Sequence, residues 1–267
     1  MDLVLMTALG VGGATVIGAL LGFAFKKMTH SFSDIMLSFA AGVMLAAAVL
    51  GLIMPSLERG YAMFAPAEGG SDWLAKGLAL LMTVAGAFAG AVCVNLIDKL
   101  VPHLHRLTGV DQEAHPDKTA QLNKVLLFVM AIAIHNLPEG IAAGVGFGME
   151  DVSDALIIAG GIALQNIPEG MVIIGPMLAG GMSHGRTFII AIMTGVVEVL
   201  GTLLGYFAVS ISTVILPFAL AFAGGTMLYV ISDEMIPETH AHGNERGATY
   251  ALLVGFCVML AFDLFLG

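Results

Sequence analysis

Residues 125–148, VLLFVMAIAIHNLPEGIAAGVGFG, decide the fold. Ten apolar residues lead into the polar hexad His135-Asn136-Leu137-Pro138-Glu139-Gly140, and a run of small and apolar residues follows it. As a helix the stretch would extend about 36 Å, enough to cross a bilayer core. The pattern returns at 155–174, ALIIAGGIALQNIPEGMVII, where the hexad is Gln165-Asn166-Ile167-Pro168-Glu169-Gly170. A carboxylate at the centre of a membrane helix costs about 2.5–3.5 kcal/mol on insertion scales, so each glutamate marks a functional position.

Composition extends this reading to the whole chain. Of 267 residues, 58% are hydrophobic and 11% charged, with mean hydropathy +0.95. A soluble domain carries about a quarter charged residues, so this chain lacks the polar surface to face water and is read as one polytopic membrane domain over 1–267. The 34 glycines suit close helix packing in lipid. Cys93 and Cys257 stand alone in apolar runs and form neither a disulfide framework nor a CxxC metal motif. Met1-Asp2 opens straight into an apolar run without a basic segment, which predicts a first spanning helix and not a cleaved signal peptide. A net charge of -10 argues against a nucleic-acid partner and suits the handling of cations.

Hydropathy predicts an all-α protein with eight spans: Leu3–Phe25, Ser33–Leu57, Trp73–Leu100, Lys124–Gly148, Asp154–Ala179, Arg186–Ser210, Thr213–Met235 and Thr249–Leu266. Pro217 supports the break between the sixth and seventh, since proline suits a helix start. If the spans alternate, Lys26, Lys27, Lys99, Arg106, Lys118, Lys124, Arg186 and Arg246 fall on one side, and only Arg59 and Lys76 on the other. The positive-inside rule then puts both termini outside and the loop of about 101–123 in the cytoplasm. Asp2, Glu58, Glu68, Asp72, Glu150, Asp151 and Asp154 would make the outer mouth acidic, attracting cations.

Within the hexads, His135 and Glu139 are four residues apart and Asn136 and Glu139 three, so both pairs share a helix face. Gln165, Asn166 and Glu169 repeat the spacing. Pro138 and Pro168 have no N–H, which leaves the carbonyls of Ile134 and Leu164 without helical partners. Such backbone is tolerated at membrane depth only against protein or a polar cavity. Glu198 and Met44 also fall mid-span. Imidazole with carboxylates suits borderline divalent ions such as zinc, and a thioether shifts preference toward softer ions such as cadmium. Taken singly these residues have plainer readings: the amides as helix–helix glue, the prolines as kinks, Met44 as packing and Glu198 as a paired structural acid. Together, three buried carboxylates and one mid-membrane histidine cannot balance without bound protons or cations. Away from the hexads, His30, His103, His105, His115, His184, His240 and His242 lie in or beside cytoplasmic segments, either as solvated loop residues or as a metal-capturing exit. Asp233, Glu234 and Glu238 read equally as interfacial acids or as a release site.

The hexad pair, Glu198, FAAGVMLAA at 39–47 and SDEMIPETH at 232–240 closely resemble the ZIP (Zrt-/Irt-like) family of divalent metal transporters, in its bacterial GufA-like branch. The resemblance covers nearly the whole chain. It implies eight helices, termini outside, a homodimer in the lipid bilayer of the cell (inner) membrane, and Zn²⁺ carried inward as substrate, with Cd²⁺, Fe²⁺ or Mn²⁺ as related ions and no catalytic cofactor. Met44, His135, Glu139, Gln165 and Glu169 match a first metal position. Asn136, Glu139, Asn166, Glu169 and Glu198 match a second, in a binuclear-type site. Helices 1, 4, 5 and 6 would move against the rest like an elevator. Two residues depart from the pattern: Asn166 stands where some relatives carry aspartate, and Asp233 where some carry histidine. The readings from other classes are a membrane-embedded metalloenzyme and a metal sensor. No HExxH and no serine–lysine pattern supports the first, and no soluble output domain supports the second.

Overall fold

The computed structural model describes residues 1–25, 29–66, 72–100, 135–179 and 181–266. All regular structure there is helical. We number the helices α1 (Asp2–Ala24), α2 (His30–Phe64), α3 (Asp72–Leu100), α4 (residues 135–146), α5 (Val152–Ala179), α6 (His184–Ile211), α7 (Leu216–Thr239) and α8 (Glu245–Leu266). Seven of these, all but α4, are long and apolar enough to cross a membrane. The first half of the expected fourth span lies outside the described residues, as does the loop with His103, His105 and His115.

Local chemistry sets the ends of these helices. Thr29 caps α2 by accepting from Phe32 N–H, Asp151 caps α5 through Ser153 N–H, and Ser183 caps α6 through Arg186 N–H. The break between α6 and α7 comes where Pro217 places it, after a short 3-10 turn at Thr213–Ile215. Gly243, with φ of +80°, takes a left-handed turn between α7 and α8 that other residues adopt only under strain.

Two spans run past their expected ends. α2 continues beyond Leu57 to Phe64, because Glu58 and Arg59 lower hydropathy without breaking a helix, and Arg59 finds Glu150 at 3.6 Å. α7 continues beyond Met235 to Thr239. Both carry a π-helical segment, Ala47–Ile53 in α2 and Ile231–Met235 in α7, each followed two residues on by a proline, Pro55 and Pro237. Widening the turn accommodates a residue that cannot donate a backbone hydrogen bond.

Packing divides the helices into groups. α1 lies along α5 and α6, α2 along α8 and α5, and α3 along α7 and the second half of α2. Glycines bring some pairs to backbone contact. A Cβ on Gly12 would sit 2.2 Å from the carbonyl oxygen of Gly195, joining α1 to α6, and one on Gly140 would sit 2.3 Å from that of Glu198, joining α4 to α6. Gly170 meets the Thr15 carbonyl in the same way, joining α5 to α1. α2 and α8 meet through Gly42 and Gly255, and α3 and α7 through Gly90 and Gly225. Across the remaining boundary the glycines face side chains: Gly160 of α5 meets the Phe262 ring, and Gly51 of α2 meets Ile158.

Candidate metal site within the membrane

The two hexads lie on neighbouring helices and send their polar groups inward. Asn136 and Glu139 of α4, Gln165 and Asn166 of α5, and Glu198 of α6 are all at most 4% exposed. Glu169 is half-buried. α5 carries Pro168 inside the helix. The charges of Glu139, Glu169 and Glu198 lie close enough to act on one another, and that of His135 acts on Glu169. Met44, fully buried on α2, belongs to the apolar core with Ile158 and Ile162 of α5 and Met259 of α8.

These carboxylates differ in how they are held. Among the described residues, neither oxygen of Glu139 has a hydrogen-bond partner, nor does Oε1 of Glu169, nor either polar atom of the Gln165 amide. Glu198 is saturated by comparison. Its Oε1 accepts from Thr15 Oγ1 at 2.6 Å and from Asn136 Nδ2, and its Oε2 accepts from Asn166 Nδ2 at 2.8 Å. Thr15 was not singled out in the sequence.

His135 Nε2 lies 2.7 Å from Glu234 Oε2. The acid belongs to the π segment of α7, and both side chains are about four-fifths buried, at 23% and 19% exposed. Glu234 therefore reaches a hexad residue, whereas its neighbour Asp233 is exposed. His240 is occupied locally: Nδ1 lies 2.8 Å from the Ile236 carbonyl oxygen and Nε2 3.2 Å from Thr249 Oγ1, so it fastens the end of α7 to α8. His242 pairs with buried Asp34 of α2 at 3.0 Å. Among the described residues no three His, Cys, Asp or Glu side chains gather closely enough to hold an ion by themselves. Any ion here would draw on mixed donors.

The two ends of the bundle agree with alternating helices. The Arg59–Glu150 pair puts the end of α2 beside the turn after α4. The Asp34–His242 pair puts the start of α2 beside the end of α7.

Comparison with known proteins decides the family. The family model described as ZIP Zinc transporter matches residues 102–263. The chain belongs to the ZIP family. This ZIP chain is 38% identical to the zinc transporter GufA of Myxococcus xanthus, with 98% of each chain covered. It is 36% identical to the zinc transporter ZIPB of Bordetella bronchiseptica, over 95% of this chain and 78% of the relative. It is 32% identical to the human zinc transporter ZIP11, over 96% of this chain and 94% of the relative. As a ZIP-family protein it is a multi-pass membrane protein of the transporter class, not an enzyme.

Proposed function

We propose that the chain carries zinc, and related divalent ions including cadmium, into the cytoplasm through the hexad site, as a homodimer in the inner membrane. The observation that carries this reading is the buried, unpartnered Glu139 carboxylate beside Glu169 and the Gln165 amide. An unpaired charge at this depth is strongly unfavourable, and a divalent ion neutralises it. Zinc accepts carboxylate oxygen, imidazole nitrogen and thioether sulfur. The first position therefore uses Glu139 and Glu169 as bridging carboxylates, with His135, Gln165 and Met44 completing the set. Coordination by His135 Nε2 would exchange its bond to Glu234 for a bond to the metal. Both termini lie outside and the ion enters from the acidic end.

Helices α1, α4, α5 and α6 move as one body against α2, α3, α7 and α8. In support, glycines fit backbone to backbone within each group, whereas the faces between groups meet through flexible side chains. An apolar cavity of about 360 Å³ also lies on that boundary, lined by Cys93 and Ile97 of α3, Pro138 of α4, Val197 of α6 and Phe222 of α7.

The test is zinc influx into proteoliposomes containing a metal-sensitive dye. Saturable influx above that of protein-free vesicles is expected. Stoichiometric zinc binding with no influx would overturn transport and favour a sensor or a metalloenzyme.

A further inference from the structure

A second group of imidazoles and carboxylates lies away from the hexads, where the start of α2 meets the end of α7. Asp34 of α2 is 3% exposed. Its Oδ1 accepts from His242 Nδ1 at 3.0 Å, while its buried Oδ2 has no hydrogen-bond partner. The other ring nitrogen, His242 Nε2, faces Glu238 Oε1 of α7 at 4.0 Å. His30, exposed at the first position of α2, stacks on His242 with ring centroids 4.8 Å apart. His240 takes no part, because both of its nitrogens are engaged at the junction of α7 and α8.

The arrangement is that of a metal ligand with its support. An ionised carboxylate only accepts, so His242 Nδ1 carries the proton, and Nε2 of the neutral ring keeps its lone pair. A carboxylate that fixes one imidazole nitrogen and so aims the other is the usual backing of a metal-binding histidine. The 4.0 Å between Nε2 and Glu238 Oε1 is too long for a hydrogen bond. Two zinc bonds of about 2.1 Å at a tetrahedral angle hold their donor atoms about 3.4 Å apart, so a small swing of Glu238 seats an ion between them. The side chains of His242 and Glu238 are 31% and 41% exposed, which leaves them open to an ion from solvent. As the side chains stand, no third donor joins these two. Rotation of the exposed His30 ring supplies one, and water fills the fourth position. Fastening α2 to the turn after α7 needs only Asp34 and His242, and does not explain a second carboxylate and a second imidazole around Nε2.

We propose that His242, Glu238 and His30, with Asp34 as the positioning residue, form a further zinc site at the end of the bundle opposite the Arg59–Glu150 pair. A single charged ligand, a third ligand that must move and a bound water make it a weak site that gives up its ion readily. On the inward direction proposed above, it is a station on the way out of the carrier. Only that role rests on the transport reading; the site itself does not.

The experiment treats the full-length chain in lipid nanodiscs with diethyl pyrocarbonate while zinc chloride is titrated to about 1 mM. Mass spectrometry reads the modification of each histidine. Zinc should slow modification of His30 and His242 saturably, by about fivefold or more, in the wild type and equally in Glu139→Ala, where the hexad site is disabled. Glu238→Ala and His30→Ala, both at exposed side chains, should each abolish the protection of His242. Asp34→Asn should raise the zinc concentration for half-protection by about tenfold or more. No protection in the wild type would overturn the site. So would protection of His242 that survives both Glu238→Ala and His30→Ala, or that disappears in Glu139→Ala and so merely follows loading of the hexads. Protection as expected, with no zinc influx into proteoliposomes, would overturn the exit role and the transport reading while the site stands.

Discussion

Glu139 and Glu198 sit on helices in backbone contact, with Gly140 pressed against the Glu198 carbonyl, yet their carboxylates are in opposite states. Every oxygen of Glu198 is met by a donor, whereas neither oxygen of Glu139 has a hydrogen-bond partner at normal distance among the described residues, with only the Gln165 amide close enough to act on it. Equal burial therefore does not mean equal role. A saturated carboxylate holds helices together, because removing it strands three donors. An unsaturated one is held in place by its surroundings and is available to a ligand. The same contrast applies to glycines: those within the α1–α4–α5–α6 group meet backbone, whereas those at its edge meet side chains.

The largest effect should come from the open set. Glu169→Ala should lower zinc uptake by about 100-fold or more while the protein still reaches the membrane, since the ion loses a charged ligand. Uptake within threefold of wild type would erase the distinction between open and saturated carboxylates. Next come the glycines. Gly170→Ala drives a Cβ to 2.2 Å from the Thr15 carbonyl oxygen, whereas Gly175→Ala, on the same helix, meets nothing within 4 Å. The first should cost about 1–3 kcal/mol in a melting experiment and the second should be neutral or slightly stabilising. Equal melting temperatures would remove the case for a rigid four-helix body.

Met44→Ala sharpens the ligand side. Loss of a thioether should weaken cadmium about 3- to 10-fold more than zinc in competition uptake. An equal effect on both ions would make Met44 a packing residue, as its place in the apolar core also allows. The smallest effect is expected from Arg59→Ala. Its partner Glu150 is 93% exposed, and such pairs contribute about 0–1 kcal/mol. A larger loss of stability would mean that the C-terminal ends of α2 and α4 are coupled more firmly than solvent screening permits.

Much of this was legible in the sequence. Seven of the expected spans follow from uninterrupted apolarity, and the inward grouping of hexad residues follows from spacings of three and four on a helix. Thr15 was illegible for a definite reason. A hydroxyl in an apolar helix ordinarily bonds a carbonyl of its own preceding turn, as Thr202, Ser210 and Thr249 do here. Nothing local separates Thr15 from these; only the approach of α6 does. Glu234 was hidden differently. The π segment at Ile231–Met235 breaks the 3.6-residue periodicity that assigns residues to faces, and Pro237 was the available signal. The ends of α2 and α7 were underestimated because hydropathy falls with charge, whereas a helix needs only satisfied backbone and polar residues that reach water.

The most direct measurement of the central claim is zinc uptake into dye-loaded proteoliposomes by the wild type and by Glu139→Ala at matched incorporation. If the open carboxylate carries the ion, the wild type fills the vesicles and the variant does no better than protein-free lipid. Wild-type uptake by Glu139→Ala would contradict the assignment of the hexad glutamates to the transport path.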